Sequence, residues 1–165
     1  MTPPSKERLL FGVLLLVLIV IIELVLHQLH LPTWPAFLVM IFFFETHMDR
    51  SRAPHLILGG LVGILCYVLT VQFVAALAPV LGEATARLVF ICLVVYAIVA
   101  FGEMLPMVFN NYAFMFFLVS GLAAQVAGVD PEPWLWIGVE LIGGALVILG
   151  VIAIGKIMAA MRLSG

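Results

Sequence analysis

Residues 9–29 form an apolar run in which Glu23 is the only charged side chain. A helix needs about 20 such residues to cross a bilayer. Five more stretches of the same character follow, at about 33–48, 54–78, 86–104, 108–128 and 133–160. Backbone in hydrocarbon has no water to bond to, so apolar runs of this kind must fold as helices. The expected fold is all-α, a polytopic membrane protein with six transmembrane helices forming one transmembrane domain over 1–165. Composition agrees. The chain is 65% hydrophobic and 10% charged, whereas soluble domains carry about 25% charged residues. A water-soluble globule is excluded. With a net charge of −2 and no basic run, so is a nucleic-acid partner.

The connections between runs are short and leave no room for a soluble catalytic domain. No phosphate loop, GxSxG, HExxH or CxxC occurs, so neither an enzyme nor a cofactor is expected. Cys66 and Cys92 fall inside apolar spans and read as small buried apolar residues without a disulfide. His27 and His30 share a helix face by spacing, and His47, Asp49 and His55 cluster in sequence. No recognised motif joins them, and no metal site is expected. Helix 1 is longer than the apolar core of a signal peptide and precedes no small-residue cleavage site.

Positive residues set orientation in membranes. Lys6, Arg8, Arg50, Arg52, Lys156 and Arg162 fall on one side, which predicts that both termini are cytoplasmic. Arg87 alone falls on the other side, beside Glu83. Trp34, Trp134 and Trp136 then sit at outer helix ends, as an aromatic belt would. Helix 2 is irregular. From Trp34 to Glu45 it offers a dozen residues, about 18 Å at 1.5 Å each, against a hydrocarbon core of about 30 Å. It either continues through Thr46, His47 and Met48 or is a half-helix. The charge bias favours a thinned, spanning helix.

The chain matches itself when Arg8 is slid onto Arg87. Arg8-Leu9-Leu10-Phe11 then meets Arg87-Leu88-Val89-Phe90, Leu56 meets Leu135 and Gly59 meets Gly138. Two units, 8–78 and 87–160, each of three helices, would have opposite orientation because three is odd. That is the inverted-repeat plan of many transporters, with a site near the midplane. The segments Leu31-Pro-Thr-Trp-Pro-Ala-Phe37 and Leu105-Pro-Met-Val-Phe-Asn-Asn-Tyr-Ala-Phe114 are its matching proline interruptions.

Polar groups in hydrocarbon normally face a partner or a wet cavity. Glu23, Gln72 and Glu140 fall in the outer halves of their helices and would line an outer vestibule. Asn110, Asn111 and Tyr112 open helix 5 and would line an inner one. Carboxyls held in low dielectric could carry protons. Either Asn could instead cap helix 5. Glu45 is expected to pair with Arg50 or Arg52, and Glu103 to lie in the interface. The Gly59-Gly60-Leu61-Val62-Gly63 segment and Gly138, Gly143, Gly144 and Gly150 give helices 3 and 6 small faces. Such faces pair closely in lipid, either with each other or between copies. A channel of this size would be a homo-oligomer.

The Leu31–Phe37 segment, the aromatic run after it and the glycine-rich third helix resemble the YcdZ-like small bacterial inner-membrane proteins, over about residues 30–80. The charged segment Glu45-Thr-His-Met-Asp-Arg-Ser-Arg52 departs from that family's small, glycine-containing loop. The resemblance implies a bacterial inner-membrane location and the helix count, and it names no substrate. The expected function is a small-solute channel or secondary transporter. The rival reading is a non-transporting scaffold or subunit of a larger membrane complex.

Overall fold

The computed structural model describes residues 6–126 and 130–163. Its helices are α1 (Lys6–Gln28), α2 (Trp34–Glu45), α3 (Ala53–Leu81), α4 (Glu83–Phe101), α5 (Asn111–Ala123), α6 (Pro133–Gly138) and α7 (Gly144–Leu163). A 3-10 turn, Arg50–Arg52, leads into α3, and a π-helical turn, Val139–Gly143, joins α6 to α7 in one rod. Six helical rods therefore result among the described residues. Four are long and apolar enough to cross a membrane: α1, α3 with its leading turn, α4 and the α6–α7 rod. The chain is a multi-pass membrane protein. The expected last residues of helix 5, 127 and 128, lie outside the described residues, as does the Arg162 side chain.

The helix ends follow local chemistry. Proline occupies the first turn of α2, α3 and α6, where its missing N–H is not needed. After α1, the His30 N–H donates to His27 O at 3.0 Å and the Leu31 N–H to Leu26 O at 2.9 Å. After α2, the His47 N–H donates to Phe44 O and the Met48 N–H to Phe43 O, both at 2.9 Å. Both are the paired closing bonds of a Schellman cap, which needs a left-handed residue just past the helix. His30 (φ 54°) and His47 (φ 56°) fill that role. Helix 2 thus ends at Glu45 rather than Met48, and His30 is a helix terminator, off the face it was expected to share with His27. Gly82, at φ 80°, is the single residue between α3 and α4.

Ring contacts fix the helix directions. Phe11 meets Phe44 edge-on at 6.3 Å, so α1 and α2 run antiparallel. Trp34 meets Trp136 at 5.4 Å, which brings the starts of α2 and α6 to one end of the bundle. Phe73 meets Phe90 at 4.8 Å across the α3–α4 hairpin. Helix α3 packs on α4 and α5, while the α6–α7 rod packs on α1 and α2. The short helices α2 and α5 supply most of the deeply buried aromatic surface, with Phe43 and Phe116 fully enclosed.

Two packing expectations are corrected. The glycine faces of helices 3 and 6 do not meet each other. Gly59, Gly60 and Gly63 receive atoms of α5, its Asn110 cap and Glu140, Gly143 and Gly144 receive α2, and Gly150 receives Leu18 of α1. Nor do the three tryptophans form one belt. Trp134 is 69% exposed, but Trp136 is buried in the core against Trp34. Side chains that fill glycine grooves gain more contact than a glycine-to-glycine seam, because association in lipid depends on close packing.

Candidate functional site

The π-turn carries the most unusual group in the molecule. Glu140 lies on it and has 0% exposure. Neither Oε1 nor Oε2 has a hydrogen-bond partner among the described residues. Buried polar atoms in proteins are almost always paired, so this carboxyl requires an explanation. A π-turn widens the helix and often marks functional sites. Here it spans Val139–Gly143, and the Gly144 N–H points at Val139, Glu140 and Leu141 carbonyls.

The pocket around Glu140 is built from α3 and α5. A methyl group on Gly60 would stand 2.5 Å from Glu140 Oε1 and 3.1 Å from Phe116 Cε2. Glycine is therefore required at 60 for the carboxyl to occupy its position. Phe116 belongs to a run of aromatic contacts: Tyr112–Phe42 at 5.2 Å, Phe42–Phe116 at 6.1 Å, Phe116–Trp34 at 6.2 Å, Trp34–Trp136 at 5.4 Å and Trp136–Tyr67 at 5.5 Å. The carboxyl thus sits beside an aromatic stack that draws on α2, α3, α5 and α6. Ser120 Oγ and His55 Nδ1 are also buried and unpaired.

Asn110 occupies the neighbouring glycine. Its Oδ1 lies against the space of a Gly59 side chain. That oxygen accepts from the Ala113 N–H at 3.0 Å, capping α5. Its Nδ2 donates toward His55 O at 3.1 Å, Pro106 O at 3.0 Å and Met107 O at 3.3 Å. Asn110 is a structural clasp that joins α5 to the start of α3.

The structure brings Asn110 and Glu140 onto adjacent glycines of α3, with Tyr112 at the far end of the aromatic run. It does not gather the other candidates with them. Glu23, Gln72 and Asn111 are exposed on the outer surfaces of α1, α3 and α5. Glu45 makes no ion pair with Arg50 or Arg52 among the described residues and lies beside the Tyr112 phenol instead. Asp49 caps the 3-10 turn, accepting from the Ser51 N–H at 2.9 Å. No three His, Cys, Asp or Glu side chains gather among the described residues as a metal site would require. The sequence gives no sign of Gly60 and Phe116 as neighbours of Glu140. The glycine pair was visible, but only as a packing motif.

No family model, curated protein or solved structure matches this chain.

Proposed function

We propose that this protein passes a small solute across the membrane, with Glu140 as the group that binds and releases a proton or cation. One observation carries the reading: a fully buried carboxyl without a partner among the described residues, on a π-turn, facing a glycine gap. Ionisable groups held inside membrane helices mark ion and solute pathways. Tyr112 and Asn110 stand at one end of that pathway, while Glu23, Gln72 and Asn111 lie at its periphery.

The reading extends to an inverted repeat, 8–78 and 87–160. Its support is the packing pattern: α1 and α2 take the α6–α7 rod as third helix, and α4 and α5 take α3. Each unit's short helix, α2 or α5, follows a proline-interrupted segment and receives glycines of the third helix packed on it. In this reading the repeats exchange third helices, both termini are cytoplasmic, the protein is a bacterial inner-membrane relative of the YcdZ-like proteins, and it works as a homo-oligomer.

The test is proton flux in proteoliposomes carrying a pH-sensitive dye, under an imposed potential. Wild type is expected to acidify the lumen and Glu140→Gln to abolish this, while Glu23→Gln retains it. If wild-type vesicles are as tight as empty ones across a panel of added small solutes, the scaffold reading replaces this one.

A further inference from the structure

A second feature lies away from Glu140. Helices α3, α4 and α5 enclose a recess of about 620 Å³ toward the end of the bundle that carries the α3–α4 turn. Binding sites for small molecules fall in the range of about 300–1,000 Å³. Its walls are mainly apolar, with Val74, Ile91 and Leu118 among them, and its rim carries Glu83 and Arg87. These two form an ion pair, Arg87 Nη2 to Glu83 Oε1 at 2.6 Å, with both side chains more than half exposed. An exposed pair one helical turn apart adds little to a fold, so both charges can exchange partners.

Gly121 lies on the α5 wall of this recess. Among the described residues, no atom of a neighbouring element stands within 4 Å of the place its side chain would fill. This differs from Gly59, Gly60 and Gly63, which each admit a neighbour of their own chain. Glycine weakens a helix interior relative to alanine. Nothing among the described residues uses the space it leaves.

We infer that the recess holds one acyl chain of a zwitterionic glycerophospholipid between α3, α4 and α5, with its phosphate on Arg87 and its ammonium on Glu83. The charge pattern selects this class. One cation and one anion side by side, beside an apolar slot between three membrane helices, match a head group bearing both charges. An anionic head group would meet Arg87 but be repelled by Glu83. The inference is independent of the transport reading, since Glu140 is not among the residues that line the recess.

The full-length protein, delipidated in detergent, would be offered equal amounts of phosphatidylethanolamine and phosphatidylglycerol and examined by native mass spectrometry. One phosphatidylethanolamine per chain should remain bound in preference to phosphatidylglycerol. Gly121→Leu, which fills the slot, should weaken retention about tenfold. Glu83→Gln leaves a net positive rim and should turn the preference toward phosphatidylglycerol; as a surface change it remains informative if Gly121→Leu fails to purify. Equal retention of both lipids by wild type, a preference unchanged in Glu83→Gln, or full retention by well-folded Gly121→Leu would each overturn the inference.

Discussion

Two neighbouring glycines of α3 meet opposite kinds of polar group. At Gly59 the incoming side chain is Asn110, whose oxygen caps α5 and whose nitrogen faces three carbonyls. At Gly60 it is Glu140, whose two oxygens bond to no group among the described residues. Both gaps come from the same sequence device, a glycine that lets a side chain enter the helix surface. The difference teaches what each region is for. A satisfied polar group stabilises and fixes a join, whereas an unsatisfied one opposes folding. Proteins commonly concentrate such local violations at functional positions.

The comparison breaks most severely one turn further along α3. Gly63→Ala would put a methyl group onto the Ala113 carbonyl and 2.8 Å from the Phe117 nitrogen. These are backbone atoms and cannot rotate aside. The helices must separate, at a cost of about 3 kcal/mol, seen as a lower thermal midpoint in detergent. Next is Asn110→Ala, which removes the cap and leaves the Ala113 N–H unpaired. It should cost about 2 kcal/mol by the same measurement. The counterpart at Gly60 has the opposite sign. Glu140→Met replaces an unpartnered carboxyl with an apolar side chain of similar length and should raise stability by about 1 kcal/mol. Equal losses from Asn110→Ala and Glu140→Met would erase the distinction between the two regions.

The smallest effect comes from the same cap chemistry placed in water. The Ser51 N–H and hydroxyl both donate to Asp49 and hold its carboxyl below the usual carboxylate range. A carboxylate with a lowered folded-state value lends stability that is present above its unfolded value. That stability is lost as pH falls through the folded one. Unfolding followed below about pH 4 should therefore show a slight acid-side loss that Ser51→Ala diminishes. Asp49 is fully open to solvent, so the change is far smaller than that at Asn110.

The helices were legible because bilayer thickness dictates the length of an apolar run, and these runs carry few charges. Their boundaries were less so. His30 and His47 take the left-handed position usually given to glycine, and nothing in their spacing announces it. Glu140 was legible as a carboxyl in an apolar span, and Asn110 as a cap. Their meeting on Gly59 and Gly60 was not, because hydropathy reports depth in the membrane and says nothing of rotation about the helix axis. The same blindness placed Trp136 in a belt when it belongs to the core, and grouped Glu23 and Gln72 with Glu140. The π-turn left no sequence signal either, although its extra residue changes which face the rest of the rod presents.

The central claim is that Glu140 exchanges a proton from within the bundle. Infrared difference spectroscopy of the reconstituted protein across a pH titration tests this directly. The account predicts a carboxylic-acid carbonyl band that appears and disappears with pH in wild type and is missing from Glu140→Gln. A wild-type spectrum with no titrating carboxyl band, or one identical to that of Glu140→Gln, would contradict it.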